Sequence, residues 1–321
     1  MLEYIEVRKL QGTDEGKEIE NNDLVSIIVP VYKTAEFLPR CIESLLDQDY
    51  ENIEILMIND GSPDNSAEII EEYREANPAK IVLINKENQG AGEARNTGID
   101  KAKGKWLCFV DSDDYVERDY VSAMLRAALD MNADIAVSNL FLEKENGRKI
   151  VFPLMFVKPV TSGDKAAKRS LNLLSVPNFA WNKLYKKELL DSINFKFPSI
   201  YFEDVAVAAK VLSESDRVAF TNRPLYHYIQ RGSGQVGTFN EKKLREALEA
   251  IAMVGEFLNE SGKMDEWFRA WKQMLLHVRV QFTTQVMVQM KDKTFAEKSK
   301  LLKELNEELQ DIDRKYRYES N

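Results

Sequence analysis

The feature that most restricts how this chain can fold is the segment Trp106–Tyr115, WLCFVDSDDY, in which five apolar residues run straight into three carboxylates. An unbroken apolar run such as Trp106 to Val110 reads as a strand buried on both faces, the kind found in parallel sheets covered by helices. Asp111, Asp113 and Asp114 then fall at the carboxyl end of that strand, where open α/β sheets place their ligands. Side chains two apart in an extended segment point the same way, so Asp111 and Asp113 can converge on one ligand. Hard oxygens at that spacing suit Mg²⁺ or Mn²⁺ held together with a substrate phosphate. A turn in which one Asp caps the next helix is the plainer explanation. It accounts for one carboxylate, not three within four residues.

The flanking chain supplies the rest of such a sheet. Val25–Val31 (VSIIVPV), Ile53–Ile58 (IEILMI) and Lys80–Asn85 (KIVLIN) are further apolar runs rich in β-branched residues. Pro30 cannot donate to a ladder, so the first run stops near it and opens a pocket. Between the runs, Phe37, Leu38, Cys41, Ile42, Leu45 and Leu46 recur at helical spacing. Pro63 suits the first turn of a second helix, with Asn65 and Glu68 placed for a capping box. Strand and helix alternating over the first hundred residues predict right-handed crossovers and a mostly parallel sheet. A helix over Asp119–Met131, a strand over Asp134–Leu140, a less regular stretch to about residue 200, a helix over Glu203–Ser213 and strand segments Val218–Thr221 and Pro224–Ile229 follow. From Glu241 the texture changes to long charged helices. The expected organisation is an arm over residues 1–22, an α/β domain over 23–238 and a helical region over 239–321.

With 321 residues, 44% of them hydrophobic, the chain can build a large core, and a net charge of −9 argues against a general nucleic-acid binder. Cys41 and Cys108 lie in apolar patterns and read as buried free thiols, which fits a reducing, cytoplasmic setting. The polar start, MLEYIEVRKLQGTDEGKEIENND, has no apolar centre and reads neither as a signal peptide nor as a membrane span. No later run approaches membrane-spanning length, so a soluble or membrane-peripheral protein is expected.

Several residues have both a chemical and a structural reading. Asp60 could accept the imide N–H of uracil, yet Asn59-Asp60-Gly61-Ser62 is also an ordinary turn-and-cap sequence. Gly90-Ala-Gly92-Glu-Ala-Arg95 looks like a dinucleotide fingerprint but follows the third strand and has Arg95 in the third glycine's place. Its glycines would free a helix N-terminus for close approach, with Arg95 one turn in to reach a phosphate or base. Glu203-Asp204 opens an apolar helix: one carboxylate suits the macrodipole, and the other, beside Tyr201 and Phe202, could be tuned for proton abstraction. His227 is a metal ligand or a structural strand residue. Arg231 could reach a diphosphate or be solvated, and Trp181 could stack on a sugar or belong to the core. The stripe Trp267, Trp271, Met274, Val278, Phe282 and Val286 reads as core or as an oligomer face. Its interleaved Arg269, Lys272 and Arg279 keep an interfacial membrane role open.

Together, VSIIVPVYKTAEFLPRCIESLLDQ, INDGSPDNS, NQGAGEARNTGI, FVDSDDY, AWNKLYKKELL, YFEDV and YHYIQR, in that order over residues 24–235, resemble the family 2 inverting glycosyltransferases. These have the nucleotide-diphospho-sugar (GT-A) fold, and the nearest likeness is to bacterial enzymes building capsule, exopolysaccharide or lipopolysaccharide chains. The resemblance implies a nucleoside site of Pro30, Val31, Tyr32, Asp60 and Arg95. It implies a metal-bound diphosphate at Asp111, Ser112 and Asp113, with Asp111 and Asp113 as ligands and Asp204 as the base. His227 takes the position of a histidine that completes the metal site in some relatives. Trp181, Asp114, Glu203 and Arg231 are candidates for sugar or acceptor contact. Asn59 stands where the family often has Asp, with Asp60 keeping the base-recognition role. The expected cofactor is Mn²⁺ or Mg²⁺, the donor a UDP-sugar, and the acceptor a glycan or lipid-linked hydroxyl. Nucleic acid is not an expected partner; self-association or peripheral membrane contact through the C-terminal helices is. A nucleotidyltransferase acting on a sugar phosphate is the rival enzyme class, but it would need a glycine-rich basic loop where this chain has PVYKTAEF. A non-catalytic assembly subunit with the donor fold is the other rival, against which Asp111, Asp113 and Asp204 stand.

Overall fold

The β-branched run Val25–Val31 forms strand β1, and the segment that follows it turns back as helix α1 (Leu38–Leu46). The computed structural model describes residues 22–144, 147–152, 158–171, 176–230 and 240–318. Most of the expected arm, the expected boundary near residue 238 and Arg231 lie outside these residues. Strand β2 (Ile53–Asp60), helix α2 (Ser66–Ala76), strand β3 (Ile81–Lys86), helix α3 (Ala91–Lys101) and strand β4 (Trp106–Phe109) complete the alternating first half. β1 pairs in parallel with β2 on one side and with β4 on the other, and β2 pairs in parallel with β3. The strand order therefore reverses at β1. The crevice beyond the carboxyl ends of β1 and β4 is the switch point where such sheets bind ligands.

Beyond β4 come β5 (Tyr115–Val116), α4 (Tyr120–Asp130), β6 (Ile135–Lys144), β7 (Lys149–Phe152), β8 (Val160–Ser162) and α5 (Gly163–Ser170). β9 (Lys183–Lys186), α6 (Lys187–Ser192), α7 (Glu203–Glu214) and β10 (Arg217–Gln230) follow. The main strand order is β3-β2-β1-β4-β9-β6-β10-β5, with β7 added to β6 and β8 to β10. β9 runs antiparallel to both β4 and β6, so the sheet is mixed, parallel among β1 to β4 and again between β6 and β10. The two strand segments expected over 218–229 are one strand, interrupted near Asn222, whose φ is 53°.

Alternation along the central strands divides the core. Ile28, Leu56, Ile58, Leu107 and Phe109 face a cluster with Ala94 of α3 and Ala206 of α7, while Ile27, Val29, Ile55, Met57 and Cys108 face α1, α2 and α4. Cys41 and Cys108 are buried free thiols, and burial raises both pKa values. α3 lies close on β1 because Gly98 has no Cβ: one placed there would sit 2.3 Å from Ile28 Cγ2. The expected capping box does not form at α2. The Asp64 carboxylate instead accepts from the Ser66 hydroxyl and from the backbone of Ser66 and Ala35.

The tail comprises α8 (Glu241–Glu260), α9 (Met264–Thr284), a π-helical turn at Gln285–Gln289 and α10 (Phe295–Tyr318). Trp267, Trp271, Met274, Val278, Phe282 and Val286 are all buried in the cluster that also holds Phe109 and Ala206. That stripe is therefore core, which corrects its reading as an oligomer or membrane face. The Trp271 indole and Lys272 ammonium both donate to Asp313, and a Cβ on Gly255 would meet the Tyr316 ring at 2.5 Å. α8 also reaches the mouth of α7, where Glu246 accepts the Tyr201 N–H at 3.1 Å. No described helix is long and apolar enough to cross a membrane.

Candidate active site

The four residues after Val110 form a turn, not the extended run expected: the Asp114 N–H donates to Asp111 O at 3.0 Å, with Asp111 and Asp113 partly exposed and Ser112 and Asp114 buried. Asp114 is 1% exposed, and its oxygens accept from the Tyr226 hydroxyl and the Ile229 N–H, each at 2.8 Å. Tyr226 in turn accepts the Asp111 N–H at 3.0 Å, so it clamps both ends of the acidic segment. Burial first, and then the Asp111 charge, push the Asp114 carboxyl well above the usual range. The Ser112 hydroxyl is bonded to that of Thr34 at 2.8 Å. The Asp114 carboxylate and the Ser112 hydroxyl are thus buried and shape the segment, where the sequence offered them for sugar or diphosphate contact.

Arg95, on the first turns of α3, joins this segment to a distant one. Its Nη2 donates to Asp111 Oδ1 at 2.8 Å and its Nη1 donates to Glu203 Oε1. The guanidinium is buried. Burial opposes its charge, but Asp111, Glu203 and Asp204 outweigh that and hold its pKa above the ordinary value. Arg95 is therefore a hub for carboxylates, where the sequence pointed to a phosphate or base. The neighbouring glycine does not face a ligand either: a Cβ on Gly92 would sit 2.5 Å from Pro198 O.

The two carboxylates that open α7 have different partners. Glu203 is tied to Arg95, which corrects its assignment to sugar or acceptor contact. Asp204 bonds only its neighbour's N–H, that of Val205 at 2.8 Å, among the described side-chain hydrogen bonds. It borders a cavity of about 20 Å³, room for about one water, lined by Phe109, Lys183, Tyr185 and Phe197 among others. Burial and the adjacent Glu203 raise its pKa to about 7, against the opposing pull of Arg95. Phe202, just before the pair, has φ 66°, a left-handed conformation that is strained for a bulky residue. Lys183 lies on the same cavity with its ammonium donating to Pro177 O, Phe179 O and Asn182 Oδ1. Burial lowers its pKa to about 7, partly offset by Asp204.

On the β1 side, Tyr32 is exposed, Pro30 half-buried and Val31 buried, so Val31 can meet a ligand only through its backbone. Asp60 is buried. Its Oδ1 accepts from Lys86 Nζ at 2.8 Å and Gln89 N at 3.1 Å, and its Oδ2 from Gly90 N at 2.8 Å. Asp60 therefore holds the β3–α3 loop, and one lone-pair position of its carboxylate is left over.

His227 and Trp181 go elsewhere. Neighbours in a strand face opposite ways, so Tyr226 reaches Asp114 while His227 points to the other side. The His227 ring stacks on Tyr115 and Phe141, and its Nε2 is 2.7 Å from Glu117 Oε1. Burial lowers its pKa against the pull of Glu117. Among the described residues no three His, Cys, Asp or Glu side chains are grouped so as to hold a metal ion. His227 thus does not join Asp111 and Asp113. Asp111 and Asp113, both partly exposed, are the two carboxylates of this turn that could take a divalent cation together with diphosphate oxygens, a usual arrangement for Mg²⁺. Trp181 is 5% exposed and stacks on Phe179, Tyr226 and Tyr228, which makes it core and not a sugar platform. Sequence reasoning missed Tyr226 and the buried ammonium of Lys183. Strand alternation in PLYHYIQ could have found the first; nothing local marks the second.

Residues 26–194 match the family described as Glycosyl transferase family 2. The chain is 34% identical over 250 residues to the putative glycosyltransferase EpsH of Bacillus subtilis, covering 76% of this chain and 71% of EpsH. It is 32% identical over 262 residues to the glycosyltransferase GlyA of Streptococcus pneumoniae, covering 79% of this chain and 37% of that longer protein. Among solved structures, S. aureus TarS 1-349 in complex with UDP-GlcNAc aligns at TM-score 0.60 and 18% identity, over 92% of this chain and 91% of that one. The mannosyltransferase PcManGT of Pyrobaculum calidifontis, in complex with GDP-Man and Mn²⁺, aligns at TM-score 0.53 and 14% identity, over 92% and 88%. These two likenesses show the GT-A fold.

Proposed function

The chain belongs to glycosyl transferase family 2, and from that premise we propose that it moves a sugar, with inversion, from a UDP-sugar to a hydroxyl of a glycan or lipid-linked acceptor in surface polysaccharide synthesis. The observation that carries this reading is the junction at Arg95. One buried guanidinium ties Asp111, at the carboxyl end of β4, to Glu203, next to a carboxyl raised to about 7. This supports a donor end at Asp111 joined to a base at Asp204 through Arg95 and Glu203.

Asp111 and Asp113 would hold the divalent cation, which when bound supplies positive charge against the diphosphate. Asp204 takes the proton of the acceptor hydroxyl as that oxygen bonds to the anomeric carbon. The bond from that carbon to the diphosphate breaks, and UDP leaves with the electron pair. Attack from the face opposite the leaving group inverts the centre, so no nucleophilic side chain is needed. Tyr32 and the remaining lone pair of Asp60 would receive the nucleoside.

The test is UDP release from a panel of UDP-sugars with glycan and lipid-linked acceptors. Acceptor-dependent UDP release is expected; pyrophosphate release from a nucleoside triphosphate and a sugar phosphate would contradict the reading. Calorimetry of UDP with Mn²⁺ and then with chelator should show binding that needs the metal. Equal affinity in both would remove the cation from Asp111 and Asp113.

A further inference from the structure

The stripe that α9 sends into the core has a counterpart on its outer side. The four most exposed of the large hydrophobic residues described are Leu276 (59%), Val280 (56%), Val288 (62%) and Phe295 (73%). Leu276, Val280 and Val288 recur in steps of four or eight along α9 and its π-helical turn, so they line up on one side. Trp271, Met274, Val278 and Val286 take the buried side. Soluble proteins rarely leave such side chains contiguous in water without a use for them.

Charge identifies the occupant. Between Glu266 and Asp292 there is no acidic residue, in a chain that has 53 of them and a net charge of −9. Arg269, Arg279 and Lys291 are exposed in this stretch. Lys272 is tied to Asp313, whereas none of those three cations has an ion pair among the described residues. Apolar side chains flanked by unneutralised Arg and Lys, on a helix that lies along the surface, match an interfacial helix on anionic lipid. A second copy of this chain fits less well. Pairing through the same face would bring Arg269 and Arg279 of the two copies together, with carboxylates only toward its ends, at Glu266, Asp292 and Glu297.

We propose that Leu276, Val280, Val288 and Phe295, with Arg269, Arg279 and Lys291 around them, form a docking face for an anionic lipid bilayer. The inner side of α9 belongs to the core that also holds Ala206 and Val207 of α7. Docking therefore fixes how the Asp204 site stands over the lipid surface. The inference does not depend on which sugar or acceptor is used.

The full chain is floated with vesicles of phosphatidylcholine alone and with added phosphatidylglycerol, at low and high salt. Flotation with the anionic vesicles, weakened by salt, is expected. The triple variant Leu276→Asn, Val280→Asn, Val288→Asn should lose about tenfold or more of it, since burial of these side chains is removed. Its melting curve should remain cooperative. If that variant does not fold, Arg269→Gln with Arg279→Gln gives the same test through charge, with loss of the anionic preference expected. Absence of flotation on anionic vesicles, or flotation that neither variant alters, overturns the proposal. So does a stable lipid-free dimer that sedimentation shows and the triple variant disperses, which would make the face a contact between copies.

Discussion

The acidic segment after β4 and the acidic pair at the start of α7 look alike in composition and are sorted by different rules. After β4, a tight turn closed by the Asp114 N–H on Asp111 O does the sorting: Asp111 and Asp113 are partly exposed, while Ser112 and Asp114 are buried and bonded to Thr34, Tyr226 and Ile229. At α7, partners do it: Glu203 binds Arg95 and Asp204 is left beside a small cavity with a raised pKa. A carboxylate's role is set less by its place in the sequence than by which donors reach it. Where every oxygen has a donor, the carboxylate holds structure. Where donors are few, and burial and a neighbouring carboxylate disfavour the ionised form, basicity near neutral pH results.

The comparison can be broken by substitutions that should separate the members of each pair. Asp204→Asn keeps shape and removes the base. Transfer should fall by about two to four orders of magnitude with metal-dependent UDP binding retained. Glu203→Gln should cost less in the same assay. Near-normal transfer by Asp204→Asn, or a larger loss in Glu203→Gln, would reverse the two assignments. Arg95→Gln removes the charge that neutralises three carboxylates. Denaturant unfolding should show a loss of about 3–5 kcal/mol, as for other buried pairs deprived of one partner. A loss under about 1 kcal/mol would mean that the hub is solvated.

Within the segment after β4, Asp114→Ala should destabilise by about 1–3 kcal/mol, because the Tyr226 hydroxyl and Ile229 N–H lose their acceptor. Asp113→Ala should change stability far less and instead abolish metal-dependent UDP binding. The smallest effect concerns linkage. A carboxyl whose folded pKa is raised contributes stability below its unfolded pKa and loses it as pH rises through the folded value. Asp204→Asn should therefore be more stable than the parent at pH 8, and the gain should vanish toward pH 4.

Much of this fold could be read from the chain. β1 has the bounds that its β-branched run announces, and α7 and α8 begin where their patterns do. β2 extends two residues beyond its apolar run because Asn59 and Asp60 continue the ladder with β3. The site was legible as residue types, not as partners. Nothing local shows that Arg95 would meet Glu203, 108 positions away, or that Asp60 would be taken up by a loop. His227 falls on the face of its strand opposite Tyr226, so alternation in PLYHYIQ carries it away from the acidic segment. The tail stripe announced a helix, but which side of α9 the core would take was a question of tertiary packing. Phe202's left-handed backbone leaves no mark in the sequence at all.

The claim that Asp204 is the base is tested most directly by the pH dependence of kcat/KM for sugar transfer, which reports the free enzyme's essential groups. The raised carboxyl predicts a rate that climbs with pH through about 7, and a residual rate in Asp204→Asn that lacks this limb. A profile already flat from about pH 5.5 upward, or the same limb persisting in Asp204→Asn, would place the base elsewhere.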